Sequence, residues 1–179
     1  MKKILAFSGS NSPTSINHQL LTSVINLITT DQVEMLELRE WNFPMYSIVL
    51  EKEGFPESVK LLYKMILEHE ALIIAVNEYN ANVSGYFKNI VDWLSRIDRK
   101  FLEGKKIMVM STSPGGRGGA SALEYVKNQF PRLGGTIVES FSLPRFYENF
   151  DSEKGIIVNE VFDLGVKDVI TSFTQQISQ

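Results

Sequence analysis

The 179-residue sequence contains no cysteine and only two histidines. Without cysteine, a protein forms no disulfide and has no thiolate nucleophile, zinc finger or iron–sulfur cluster. His18 and His69 are too few to build a metal site from several histidines, so we predict no bound metal. His69 stands in a Glu-His-Glu segment at the predicted end of a helix, where a basic group interacts favourably with the helix dipole.

The sequence also lacks a strong excess of charge and any long apolar run. Its 18 basic and 21 acidic residues leave a net charge of −3, which is too small to predict binding to nucleic acid or to an anionic membrane. The segment Met1–Phe7 starts with basic residues, but its apolar run is too short for a signal peptide. We therefore predict a cytoplasmic protein. The length and the 44% hydrophobic content suit one domain over residues 1–179.

What the sequence does contain is an alternation of apolar runs and helical periods. The apolar runs predict strands at Lys2–Phe7, Val33–Leu38, Ala71–Val76, Lys106–Ser111 and Thr136–Ser140. The helical periods predict helices at Ile16–Thr30, Pro56–Glu70, around Phe87–Leu94, at Ala120–Arg132 and at Asn159–Ile177. Fully apolar strands alternating with helices imply a parallel sheet that is covered on both faces. The predicted fold class is therefore α/β, a flavodoxin-like, doubly wound sheet of five parallel strands in the order 2-1-3-4-5, with helices on both faces.

One long stretch, Arg39–Phe55, shows no regular pattern. Loops of this length inside a compact domain are uncommon, and they are usually functional. We therefore predict that this stretch is an irregular segment with a role in binding or in an interface.

Three loops of similar composition are expected at one edge of the sheet. In an open α/β sheet, ligands bind beyond the carboxyl ends of the strands. The loops that reach this edge are residues 8–17, 77–85 and 111–119, and all three are rich in glycine, serine or asparagine. Surface turns favour the same residues, but three such loops at one edge indicate a binding site.

The first loop ends where a helix is predicted to begin. Free N–H groups and the helix dipole at such a point bind phosphate without a lysine. Gly9 would let the backbone pass close to a ligand, and Asn17 would add an amide donor. Helix capping by Thr14 or Ser15 is compatible with this role. Further hydroxyl donors are Ser10, Ser12, Thr14 and Ser15.

Several common motifs are missing from these loops. The first loop has no Gly-Lys-Ser or Gly-Lys-Thr, so it does not support ATP hydrolysis, and it has no GxGxxG for a dinucleotide. The chain has no GxSxG elbow and no well-placed base, so a hydrolase using Ser10 or Ser113 is a poor alternative.

The first two loops resemble the motifs of a known family. In the first, the pattern GSxRxxSxN is matched at Gly9, Ser10, Ser15 and Asn17, and Ser12 replaces the arginine. In the second, PEYNxSxPGxLKNxxDWxSR is matched over residues 77–96 at Glu78, Tyr79, Asn80, Gly85, Lys88, Asn89, Asp92, Trp93, Ser95 and Arg96. The departures there include Asn77, Asn82 and Ser84. The sequence thus resembles the NADPH-dependent FMN reductase family, which includes azoreductase-like and chromate-reductase-like flavoproteins.

The third loop resembles the Ser-x-Ser-x-Gly-x-x-Gly-Gly segment of the same family. Backbone atoms of Ser113, Gly115 and Gly116 would approach the pyrimidine edge of a flavin. Arg117 is the cation in this loop, and it would meet a phosphate of the nicotinamide dinucleotide or simply face solvent. Family members often have a basic residue at the position of Ser121.

The resemblance implies a bound FMN and NADPH or NADH as co-substrate. Hydride would pass through the flavin to a quinone, azo compound, free flavin or metal oxyanion in a ping-pong cycle, with no catalytic side chain. It also implies a homodimer or homotetramer in which the segment Trp41–Phe55 forms a wall of the neighbouring subunit's site. The expected cofactor-binding residues are Ser8, Gly9, Ser10, Ser12, Ser15, Ile16, Asn17, Asn77, Glu78, Tyr79, Asn80, Ser113, Gly115, Gly116 and Arg117.

Two other functions remain open at this level. A flavodoxin-type electron carrier would use the same cofactor with a protein partner, although such carriers are usually more acidic than a net charge of −3. A relative that has lost the flavin would serve only binding or regulation. Ser12, Asn77 and Ser121, which replace residues typical of the family, keep that alternative open.

Overall fold

The computed structural model describes residues 1–179, and strands alternate with helices along them. The strands are β1 (Lys3–Ser8), β2 (Gln32–Leu36), β3 (Ala71–Ala75), β4 (Glu78–Tyr79), β5 (Asn82–Val83), β6 (Lys106–Thr112), β7 (Thr136–Leu143), β8 (Phe150–Asp151) and β9 (Ile156–Ile157). The helices are α1 (Ile16–Ile25), α2 (Ile48–Glu53), α3 (Glu57–Glu68), α4 (Gly85–Ile97), α5 (Ala120–Gln129), α6 (Phe146–Asn149) and α7 (Glu160–Ser178). No helix is both long enough and apolar enough to span a membrane.

Five of the strands form one parallel sheet in the order β2-β1-β3-β6-β7. Counted along the sheet strands alone, this is the order 2-1-3-4-5, so the predicted flavodoxin-like fold is confirmed. The inner strands are buried because both faces are covered. In β3, for example, all five residues are buried. The paired strands β4–β5 and β8–β9 are separate short hairpins.

The pleat of the sheet divides the core into two layers. Leu5, Phe7 and Ile74 point to the layer that contains residues of α3, α4 and α5. Ile4 and Ile73 point to the opposite layer, which contains residues of α1 and α7. As a result, the helices on the two faces hold the carboxyl ends of β1, β3 and β6 at one edge of the sheet.

The first helix is shorter than its sequence predicts. We expected a helix over Ile16–Thr30, but α1 ends at Ile25. Asn26 follows as the C-cap, and the next N–H groups, of Leu27 and Ile28, donate to carbonyls only three residues back. The apolar residues Leu27 and Ile28 continued the helical period without continuing the helix.

The segment Arg39–Phe55 was predicted to be irregular, and that prediction is wrong in part. A short 3-10 helix covers Leu38–Glu40, and α2 lies within the segment. The segment is anchored to α4. Asn89 Oδ1 accepts from the Tyr46 N–H at 2.7 Å, and Trp93 Nε1 donates to the Pro44 carbonyl at 2.7 Å.

Candidate functional site

A cleft of about 210 Å³ lies at the carboxyl edge of the sheet, where the three predicted loops meet. It lies between α1, the β4–β5 hairpin and the residues that follow β6. The residues that line it are Ser10, Ser12, Thr14, Ser15, Ile16, Asn17, Asn77, Glu78, Tyr79, Thr112, Ser113, Pro114 and Tyr147. The structure therefore brings together residues from all three loops that the sequence singled out.

The first loop curls over itself through its own hydroxyl groups. The N–H of Ser12 donates to Ser10 Oγ at 3.3 Å, and the N–H of Thr14 donates to Ser12 Oγ at 3.3 Å. Ser15 caps α1, because its Oγ accepts from the N–H of His18 at 3.2 Å. The capping role predicted for Thr14 or Ser15 thus falls to Ser15.

Two N–H groups in the first turn of α1, those of Ile16 and Asn17, have no acceptor within the chain. The first turn of α5 differs, because all of its N–H groups are occupied. Glu78 Oε2 accepts from Ser121 and Ala122, at 2.8 and 3.1 Å. Backbone carbonyls accept from Ala120 and Leu123. An anion at this edge would therefore bind at α1 and not at α5.

Asn17 has a structural role that the sequence did not reveal. Its Nδ2 donates to the carbonyl of Thr112 at 3.1 Å, and its Oδ1 accepts from the N–H of Thr112 at 2.9 Å. Both residues are almost fully buried. The side-chain amide of Asn17 is thus committed to β6, and the amide donor that we expected for a phosphate is not free. Only its backbone N–H remains.

Gly9 is also needed for a different reason from the predicted one. A Cβ atom at this position would lie 2.6 Å from Cδ2 of Phe87, which is too close for any side chain. Its N–H donates to Ala75, and its carbonyl accepts from Ser84 Oγ. Gly9 therefore permits the close approach of α4 to the first loop, and it does not line the cleft.

The second loop is a hairpin that Glu78 holds to α5. Its two turn residues, Asn80 and Ala81, adopt left-handed backbone conformations with φ of 50° and 59°, as a tight two-residue turn between strands requires. Glu78 holds the hairpin to α5 through the two hydrogen bonds described above. Tyr79 remains 57% exposed on the cleft side, whereas Asn80 does not line the cleft.

The floor near this hairpin contains polar atoms without partners. Asn77 is only 6% exposed, it lines the cleft, and neither Oδ1 nor Nδ2 is hydrogen-bonded. The buried Oγ of Ser8 also has no partner, but Ser8 does not line the cleft. Unsatisfied buried polar groups are costly and are rare without a functional reason. A flavin with a phosphate fits this cleft, since the donors at α1 suit the phosphate and the Asn77 amide suits the polar part of the ring system.

The third loop is braced by the turn after β7. Arg145 has a left-handed backbone with φ of 47°, and its N–H donates to Gly115 O at 2.9 Å. The next N–H, of Phe146, donates to Ser113 O at 3.0 Å. Gly115, Gly116 and the exposed Arg117 do not line the cleft, and Arg117 Nη2 donates to Ser121 Oγ at 3.2 Å.

Three lining residues near the third loop were not among the cofactor-binding residues that the sequence predicted, namely Thr112, Pro114 and Tyr147. Thr112 and Pro114 flank Ser113, so the composition of the loop could have included them. Tyr147 is 72% exposed and lies on α6, far along the sequence. Nothing in its sequence context indicates a site, because its place depends on the bonds that tie Arg145 and Phe146 to the third loop.

The sheet order and the cleft at its carboxyl edge define a flavodoxin-like α/β protein. Comparison with known proteins narrows this class, because the profile described as NADPH-dependent FMN reductase matches residues 2–148. The chain belongs to the NADPH-dependent FMN reductase family, whose members are oxidoreductases that use FMN with NAD(P)H. The matched region contains all three loops and ends within α6.

Individual relatives agree with this family. The chain is 31% identical over 136 residues to a quinone reductase of Escherichia coli K12, and the aligned region covers 73% of this chain and 69% of that protein. It is 32% identical over 180 residues to an NADPH:quinone oxidoreductase of Arabidopsis thaliana, with 95% and 89% covered. Among solved structures, the flavoenzyme NAD(P)H:(acceptor) oxidoreductase FerB of Paracoccus denitrificans superposes with a TM-score of 0.81 and 26% identity, over 99% of this chain and 98% of that one.

Proposed function

We propose that residues 1–179 form one FMN-binding domain that oxidises NAD(P)H and reduces a small-molecule acceptor, with quinones as the main acceptor class. This proposal rests on two features of one cleft: the N–H groups of α1 that have no acceptor, and the buried side-chain amide of Asn77 that has no hydrogen-bond partner. The quinone assignment is supported by the names of the relatives in Escherichia coli and Arabidopsis thaliana.

The arrangement of donors suggests how FMN would lie. The N–H groups of Ile16 and Asn17, with the hydroxyls of Ser10 and Ser12, would hold the phosphate. The second and third loops would hold the ring system. FMN held there would supply the hydride and electron transfer between NAD(P)H and the acceptor, which is the chemistry of the cofactor and not of a side chain.

The side chains of the cleft would bind and orient. Tyr79 and Tyr147 both line it and are both largely exposed, so they are available to pack against a flat co-substrate or acceptor. Ser113 would offer its backbone to the polar edge of the flavin. No lining residue is a cysteine, histidine or lysine, and the Glu78 carboxylate is held by the N–H groups of α5, so we expect the protons for the reduced acceptor to come from water.

We also propose a homodimer or homotetramer in the cytoplasm. Met45, Ile48 and Val49 are each more than 60% exposed, and α2 has no buried residue. Apolar side chains grouped on a surface often mark an interface. The absence of cysteine is compatible with a reducing compartment.

The test is the visible spectrum of the purified protein followed by anaerobic titration with each nicotinamide dinucleotide. We expect a flavin spectrum that bleaches on addition of NADPH or NADH and recovers when a quinone is added. A protein that stays colourless after incubation with excess FMN would disprove the function. A bound flavin that NAD(P)H does not reduce would instead indicate an electron carrier.

A further inference from the structure

The proposed phosphate site has no cation in its own loop. Between Lys3 and Arg39 the sequence contains neither lysine nor arginine. A phosphate monoester carries nearly two negative charges at neutral pH. Free N–H groups and the helix dipole favour such an anion, but a guanidinium would add a much stronger charge-assisted contact.

Arg39, the first cation after this gap, folds back onto the loop. It lies in the 3-10 helix that follows β2, the strand beside β1. Its Nη1 donates to the carbonyl of Pro13 at 2.8 Å. The residues on either side of Pro13, Ser12 and Thr14, both line the cleft. Arg39 and Pro13 do not line the cleft themselves, so the guanidinium is bound just outside the lining residues Ser12 and Thr14.

The carboxylate of Glu37 lies beside this guanidinium. Nε of Arg39 lies 2.9 Å from Oε2 of Glu37, while Oε1 of Glu37 lies 3.0 Å from Nε2 of His18. Nη2 has no partner in the chain. Since a guanidinium has five N–H donors, Arg39 keeps donors available after both contacts are made.

We propose that Arg39 supplies the cation of the FMN phosphate site, from the 3-10 helix that follows the neighbouring strand β2 and not from the loop itself. This inference rests on the proposed function. Glu37 offsets part of the charge, but it contacts the Nε side, and the Nη2 side is left for the phosphate. The contact selects for the phosphorylated flavin, because riboflavin has no group for it to bind.

The test compares the affinities of FMN and riboflavin, measured by quenching of flavin fluorescence in the dark and without any turnover. Arg39→Gln should weaken FMN binding about tenfold or more, the size of a lost charge-assisted contact, and should leave riboflavin binding unchanged. Arg39→Lys keeps the charge and should recover part of the loss. Ser12→Arg, which puts a cation in the loop, should restore FMN affinity to Arg39→Gln.

Arg132→Gln is the matched control. Arg132 is exposed in the 3-10 helix Phe130–Leu133, which precedes β7 and therefore lies at the opposite edge of the sheet from the cleft. Its replacement removes the same charge and should change FMN affinity less than twofold. Thermal unfolding of each variant checks that the fold is intact.

The proposal is overturned if Arg39→Gln binds FMN as the native chain does, or if FMN and riboflavin lose affinity equally. It is also overturned if Arg39→Lys is as weak as Arg39→Gln, because Arg39 would then only brace Pro13. These outcomes leave the proposed function standing. If the native chain binds neither flavin, both the function and the role of Arg39 are wrong.

Discussion

The side-chain amide of Asn17 forms two hydrogen bonds with the backbone of Thr112, 95 positions away in the sequence. It pairs with the N–H and the carbonyl of one residue, much as a neighbouring strand would. The contact ties the first turn of α1 to the end of β6. The geometry of the cleft therefore depends on a residue that does not itself offer its side chain to a ligand.

Asn17→Ala should lower the free energy of unfolding by about 2–4 kcal/mol, because it leaves a buried N–H and a buried carbonyl of Thr112 without partners. Urea denaturation measures this change. Asn128→Ala is the control, since Asn128 is exposed on α5 and its side chain makes no hydrogen bond. It should shift stability by less than about 0.5 kcal/mol. Equal stability of the two variants would show that the Asn17 pair contributes nothing.

Asn77→Leu should stabilise the flavin-free protein by about 1–3 kcal/mol, because an amide without partners is replaced by an apolar group of similar shape. The same change should weaken FMN binding, since the amide would no longer meet the flavin. Calorimetric unfolding and flavin titration measure the two effects.

The control for Asn77 is Asn89→Leu. Asn89 is equally buried, but its amide bonds to Tyr46 and Pro44, so its loss should destabilise the chain. If Asn77→Leu leaves FMN affinity unchanged, Asn77 is not a cofactor ligand.

Stability should depend on His18 in the acid range. Burial holds the pKa of His18 below its usual 6.5, the Glu37 carboxylate opposes this, and Arg39 adds to the lowering. As the pH is lowered, His18 is therefore protonated in the unfolded chain before it is protonated in the folded chain. The stability that neutral His18 contributes is fully present above pH 6.5, and it is lost as the pH falls through the folded-state pKa.

The measurement is the free energy of unfolding of the native chain and of His18→Gln between pH 8 and about pH 5. The difference in free energy of unfolding between the native chain and His18→Gln should become smaller as the pH is lowered. A difference that grows instead would mean that the charge of Glu37 outweighs burial.

Replacement of Ile48 and Val49 by glutamate should convert the proposed oligomer to monomers. Both side chains are exposed on α2, so charges there would disrupt an interface without disturbing the core. Sedimentation velocity measures the mass of each form. Glutamate at Val161, which is exposed on α7, is the matched control and should leave the mass unchanged. A native chain that sediments as a monomer would contradict the oligomer.

The central sheet could be predicted because each of its strands is a continuous apolar run between helical periods. The short elements could not. Strands β4 and β5 have two residues each, and their turn uses Asn80 and Ala81 without the glycine that usually marks such hairpins. Helix α2 was missed because none of its residues is buried, so no apolar face repeats along it.

The site was predicted in outline because loops after parallel strands meet at one edge. The roles within it were less accessible. Gly9 is required by the ring of Phe87, and Tyr147 reaches the cleft through the turn at Arg145. Contacts of this kind join distant parts of the chain, and no local pattern encodes them.

The first turn of α5, in which every N–H group already has an acceptor, affects how the nicotinamide dinucleotide would be bound. The N–H groups of this turn already donate hydrogen bonds to Glu78 and to two backbone carbonyls. They are therefore not available to bind the diphosphate of a dinucleotide. We expect the protein to bind the nicotinamide end of the co-substrate, while the adenosine end stays in solvent. Exchange at every turnover would then be quick, and kcat/KM for NADH and NADPH would lie within about tenfold of each other, the effect of one weak contact.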